Sequence, residues 1–93
     1  MDRPQRVVVT VLGKDRVGLI AGVANVLAEN NINILDISQT ILQDFFAMIM
    51  IVDMRDSYID LSTLKERLAR KGQELGVRID AQHEDAFNYM HRI

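Results

Sequence analysis

GKDRVGLIAGVANVLAENNINI, residues 13–34, reads as the close of one strand, a tight turn, an amphipathic helix and the opening of a second strand. That order sets a helix N-terminus beside two strand ends. Gly13 permits a positive φ where the strand finishes, and Asp15 is placed to accept the N–H of Val17 or Gly18 as a helix N-cap. Gly18, in the first turn, has no Cβ to hold a ligand away. The unpaired N–H groups of a helix start carry roughly half a positive charge, so a carboxylate or phosphate is the favoured visitor. Leu19, Ile20, Val23, Val26 and Leu27 then form the buried stripe of a 3.6-residue period. Gly22, Asn25 and Glu29 lie opposite, narrow enough for a second helix or a second subunit to approach. Asn30 and Asn31 stop the helix, because Asn tolerates the left-handed conformation that ends helices.

Outward from this stretch the pattern is strand-like on both sides. Residues 6–12 are apolar in both alternating sets, as in a strand buried on both faces. From Asn33 to Gln43, Leu35, Ile37 and Ile41 fall on one face against Asp36, Ser38 and Thr40, the signature of an edge strand with one wet side. Gln43 and Asp44 make a tight turn into a second doubly apolar strand, residues 45–53. Asp60 is an N-cap, with Ile59 and Leu64 bracketing the start of a helix whose buried stripe is Leu61, Leu64, Leu68 and Leu75. Gly72 inside it costs up to about 1 kcal/mol relative to Ala, which implies either close packing or a frayed last turn. Gly76 closes the helix. Val77, Ile79 and Ala81 alternate with Arg78, Asp80 and Gln82 in a half-wet strand, and a tail from about residue 84 forms a short helix with Phe87 and Met90 on one face and His91 and Arg92 at its end.

The order βαββαβ plus a terminal helix predicts one domain over residues 1–93, an α+β ferredoxin-like sandwich with antiparallel strand order 4-1-3-2 and both main helices on one face. The apolar residues on the sheet's other face then need a cover, either the tail helix or another subunit.

Composition excludes several functions. The formal net charge is −2 with 26% charged residues of mixed sign, so there is no basic surface for nucleic acid. Zero cysteines remove disulfides and thiolate chemistry. The N-terminal residues lack the apolar run of a signal peptide and no segment is long enough to span a bilayer, so a cytoplasmic protein without membrane contact is expected. The two histidines, His83 and His91, lack the spacing of a metal pair on one helix face, and no nucleophile has a base in a local motif. No metal, no cofactor and no enzymatic activity are expected. An RNA-recognition module would carry aromatics in its first strand, and none is there. Arg16 and Asn33 could imitate the arginine and asparagine of an acylphosphatase, but the glycine-framed turn of that enzyme is missing.

The stretch GKDRVGLIAGVANVLAENNINILDIS, followed by QDFFAMIMIVD and the tail QHEDAFNYMHRI, closely resembles the ACT domain, the small regulatory module of amino-acid metabolism. The likeness is strongest to the subgroup with a Gly-Lys-Asp-Arg-Pro-Gly turn, found in formyltetrahydrofolate deformylase and glycine-cleavage regulators, and to small stand-alone ACT-domain proteins. Val17 stands where that subgroup has proline. The resemblance implies a homodimer or higher homo-oligomer that binds an amino acid between subunits and signals to a regulated partner. Its binding residues map to Lys14, Asp15, Arg16, Gly18, Leu19 and Ile20 from the turn of one chain, with Asn33, Ile34 and Leu35 from the start of the second strand. The alternative is a ligand-free interaction or dimerisation module.

Overall fold

The computed structural model describes residues 4–90. Its elements run β1 (Arg6–Lys14), α1 (Leu19–Glu29), β2 (Asn33–Leu42), β3 (Phe45–Asp53), α2 (Leu61–Leu75), β4 (Val77–His83) and α3 (Glu84–Met90). The four strands form one antiparallel sheet in the order β2-β3-β1-β4, the expected order read from its other edge. This is the ferredoxin-like sandwich. The predicted role of His91 and Arg92 at the end of the tail helix lies outside the described residues.

The core sits between the sheet and α1 and α2. Val7, Val9 and Val11 of β1 and Phe46, Met48, Met50 and Val52 of β3 meet Leu19, Val23 and Leu27 of α1 and Leu64 and Leu68 of α2. Aliphatic side chains, with Phe46, fill this space because their alternation in the strands matches the i, i+4 spacing of the helices. One member of the expected stripe does not join: Ile20 is 41% exposed. A hundred degrees of helix rotation from Leu19 carries it off the sheet, toward the edge strand.

Both helix ends of α2 are set by local chemistry. Asp60 Oδ1 accepts the Thr63 N–H at 2.8 Å, and Gly76 takes a left-handed φ of 73° while its N–H bonds to the Gly72 carbonyl. Gly72 itself resolves in favour of close packing: a Cβ there would lie 2.6 Å from the Val77 carbonyl oxygen. Gly22 serves α1 in the same way, since a Cβ would meet Leu75 Cδ1 at 2.9 Å. The close neighbour predicted for that side of α1 is therefore α2. At the end of α1, Asn31 adopts φ 58°, while Asn30 stays at φ −107°. The Ile32 N–H reaches the Leu27 carbonyl and the Asn31 N–H the Ala28 carbonyl, with Ile32 and Leu27 both in the core, which is a Schellman ending.

Three readings of the strands need correction. β1 continues through Gly13 to Lys14, pairing Gly13 with Phe46 on one side and Val77 on the other. Gly13 is required less for its φ of 159°, close to extended, than because a Cβ would fall 2.7 Å from Val77 Cγ1. In β2 the register slips between Ile34 and Asp36. The bulge turns Leu35 to the face opposite α1, away from Ile37 and Ile41, whose cross-strand partners Met50 and Phe46 are core residues. Finally, β1 and β3 are buried on both faces only in part. Val8 is buried beside Phe87 of α3, but Leu12, Phe45 and Ile49 on the same face remain exposed.

Candidate functional site

The turn between β1 and α1 is held from outside. The Asp15 N–H donates to the Asp44 carbonyl of the β2–β3 turn at 2.7 Å, and Arg16 Nη1 donates to the Leu75 carbonyl at 2.8 Å. That carbonyl ends α2, where the helix dipole is negative, so the guanidinium suits it. Asp15 does not cap α1. The N-cap is Gly18, at φ 90°, with no side chain bonded to the helix end and no acidic residue in the first turn. Residue type alone puts the cap at Asp15, three residues early, whereas the backbone bond from Asp15 to the Asp44 carbonyl carries the turn on to Gly18.

Gly18 opens onto a shallow cavity of about 260 Å³, with no atom within 4 Å of where a Cβ would stand. Asp15, Arg16, Gly18, Leu19 and Ile20 line it, together with Gln39 and Ile41 of β2. The two β2 residues were absent from the sequence reading, yet a signal exists. With a two-residue turn at Gln43 and Asp44, Ile41 must pair with Phe46, and Phe46 pairs with Gly13. That row carries the far end of β2 to the glycine turn.

Asn33, Ile34 and Leu35 lie at the other end of α1, about 16 Å away by helix rise. Asn33 borders a separate polar concavity with Asn31, Asp53, Arg55 and Asp56. Ile34 packs against the core, and Leu35 points to the opposite sheet face. Within one chain the two sets of nominated residues do not meet. Lys14 ends β1 opposite Phe45 and does not line the cavity.

The polar concavity contains the most buried carboxylate described, Asp53, at 5% exposure. Asp53 Oδ1 accepts the N–H groups of Gln5 and Arg55, each at 3.0 Å, and Oδ2 faces Arg55 Nε at 3.1 Å. Burial works against its charge, but those two N–H groups and the guanidinium charges of Arg55 and Arg6 outweigh it and hold the carboxyl below its ordinary 3.8. Asp60, held by the Thr63 hydroxyl and N–H, is lowered as well. A lowered folded-state pKa stabilises the protein above about pH 3.8 and ceases to do so as pH falls through the lowered value. Asp53→Asn is therefore expected to lower the urea midpoint at pH 6 and to converge on the wild type as pH falls from about 3.8 through the lowered value. A gap that stays constant across that range would show that the charge of Asp53 contributes nothing.

Among the described residues, no cluster of three or more metal-ligating side chains occurs, and no helix is long and apolar enough to cross a membrane. His83 Nδ1 accepts the Asp85 N–H at 3.2 Å, a local turn contact.

Comparison with known proteins agrees with this architecture. A UPF0237 protein of Methanocaldococcus jannaschii is 60% identical over 88 residues, which make up 95% of this chain and 98% of the other. An ACT domain protein from Streptococcus pneumoniae superposes with a TM-score of 0.79 at 38% identity, covering 91% of this chain and 96% of that one. A formyltetrahydrofolate deformylase from Pseudomonas syringae shares the fold alone, with a TM-score of 0.80 at 22% identity over 87% of this chain and 28% of its own length. The family model of the ACT domain matches residues 5–82, and the chain belongs to the ACT domain family.

Proposed function

We propose that this chain is a non-enzymatic regulatory ACT domain that binds an amino acid or similar small anion in the Gly18 cavity, at the boundary between two copies. The observation that carries the reading is the uncapped N-terminus of α1, open at Gly18 and flanked by Gln39 and Ile41 of an edge strand. The N–H groups of the first turn would take the carboxylate, and Asp15 or Asn33 the ammonium. Ile20 and Ile41, both partly exposed, offer apolar contact.

Two copies explain why the nominated residues are split. β2 is one of the two edge strands of the sheet, ten residues long. If it pairs antiparallel with its copy about a two-fold axis through Ile37, residues 33–35 of the partner subunit run beside residues 39–41. The stretch from Asn33 to Leu35 then borders the cavity from across the interface. A ligand bridging both copies tightens the dimer, and coupling of this kind is typically worth about 1–3 kcal/mol.

A thermal-shift screen against the twenty amino acids tests the proposal. A ligand at ten times its Kd adds about 1.4 kcal/mol, which for a domain of this size raises Tm by about 6–11 °C. Gly18→Ala is expected to lower Tm through strain at φ 90°, about 1–2 kcal/mol, and to abolish the ligand's shift. If no amino acid shifts the wild type, the sensing role is lost and the ligand-free interaction module remains.

A further inference from the structure

Arg16 touches two parts of the fold at once. It lines the Gly18 cavity, and its Nη1 donates at 2.8 Å to the Leu75 carbonyl at the end of α2. That carbonyl and the Gly76 N–H belong to one peptide unit, and the N–H bonds in turn to the Gly72 carbonyl. A single peptide plane therefore closes α2 on one side and meets the guanidinium on the other. Its surroundings are tight. A Cβ on Gly22 of α1 would meet Leu75 Cδ1 at 2.9 Å, one on Gly13 would meet Val77 Cγ1 at 2.7 Å, and one on Gly76 would stand 3.3 Å from Arg16 Nη1.

We propose that Arg16 is a relay: an anion in the Gly18 cavity takes guanidinium donors that Leu75 leaves over, and so locks the end of α2 at Leu75 and Gly76. This role presupposes the Gly18 anion site proposed above. An arginine carries its N–H donors in a rigid planar fork. Leu75 takes one of them, and among the described residues no other hydrogen bond or ion pair of Arg16 occurs. A carboxylate can therefore bind without displacing Leu75. The Leu75 bond already fixes the side chain, so less freedom is lost when the anion arrives. By reciprocity the anion steadies the guanidinium, and the guanidinium the peptide. Polarisation acts in the same sense, since a carbonyl drawn to a charged donor makes the N–H of its own peptide a stronger donor, here to Gly72. Occupancy of the cavity thereby reaches the junction of α2 with β4, the strand at the opposite sheet edge from β2.

Amide hydrogen exchange followed by two-dimensional NMR tests it on the wild type and Arg16→Met, each with and without a mixture of the twenty standard amino acids. The Gly18 and Leu19 amide resonances report occupancy, and exchange of the Gly76 N–H reports the end of α2. The Leu64 N–H, which donates to the Asp60 carbonyl at the other end of α2, is the reference. In the wild type the mixture is expected to move the Gly18 and Leu19 resonances and to slow Gly76 about fivefold relative to Leu64. Without amino acids, Arg16→Met is expected to speed Gly76 exchange about fivefold, and the mixture then no longer slows it. If Gly18 and Leu19 move while Gly76 slows no more than Leu64, the relay is overturned and the cavity stands as a ligand site. An Arg16→Met variant whose Gly76 exchanges as in the wild type, or is still slowed by the mixture, overturns the relay as well. Resonances of Gly18 and Leu19 that do not move in the wild type remove the cavity as a ligand site, and the relay with it.

Discussion

Gly72→Ala is expected to destabilise this domain by about 1 kcal/mol, and Gly72→Val by about 3 kcal/mol, although helix propensity alone would make alanine stabilising by about 1 kcal/mol. The sign follows from what the missing Cβ would meet. At 2.6 Å from the Val77 carbonyl oxygen it collides with backbone, and Ile79 Cγ1 and Cδ1 stand at 3.4 and 3.6 Å behind it. A side chain could turn aside, but a strand paired to β1 through Gly13 cannot retreat without breaking that ladder. Overpacking of this kind costs about 1–3 kcal/mol, sometimes more, and valine adds two methyl groups to the same gap. Urea denaturation at constant m-value measures both changes. A stabilised Gly72→Ala variant would mean that the last turn of α2 opens in solution and that the contact with β4 is not held.

The same glycine shows how far sequence reaches. Alternation of apolar residues in the strands, the i, i+4 stripes and the Asp60 and Gly76 caps each depend on residues within one turn or one strand of each other, so they were legible directly. Gly72 was legible as an anomaly whose resolution lay in a neighbour from β4. The β2 bulge was hidden, because no glycine or proline marks it, and two β-branched or leucine neighbours read as one continuous alternation. The turn at Asp15 was misread because its decisive partner is the Asp44 carbonyl, 29 positions along the chain. For the cavity, the glycine turn was visible as a local motif, whereas Gln39 and Ile41 required the hairpin register to be carried across two strands. The recurring limit is range: local backbone preference and strand order show in the sequence, and individual contacts between distant residues do not.

Asn30 is the strongest case of that limit, and its replacement is expected to cost about as much as Gly72→Val. Read in isolation it is a helix-stopping asparagine. In the fold it is 4% exposed and every polar group it carries is engaged. Its N–H turns to the Leu27 carbonyl, which leaves the Val26 carbonyl without its usual helical donor, and Nδ2 of the same residue supplies that bond at 2.6 Å. Oδ1 accepts Arg67 Nη1 of α2 at 2.5 Å, and the carbonyl accepts the Tyr58 N–H at 3.0 Å. Asn30→Leu fills the space but orphans a buried carbonyl and the bond to a charged donor, so a loss of about 3 kcal/mol is expected. That is a large share of the roughly 5–14 kcal/mol typical of a domain this long. Asn30→Asp separates the two bonds, since it keeps an acceptor for Arg67 and sets a carboxylate oxygen against the Val26 carbonyl. It is expected to lose about 1–2 kcal/mol, and Arg67→Met, which removes only the exposed end of the link, about 1 kcal/mol. Should Asn30→Asp prove as stable as the wild type, the cap on Val26 carries no weight and the residue serves α2 alone. The expected order instead makes Asn30 the joint at which the end of α1, the middle of α2 and the loop at Tyr58 are fixed together, and with them the angle at which α1 presents Gly18 to the edge of the sheet.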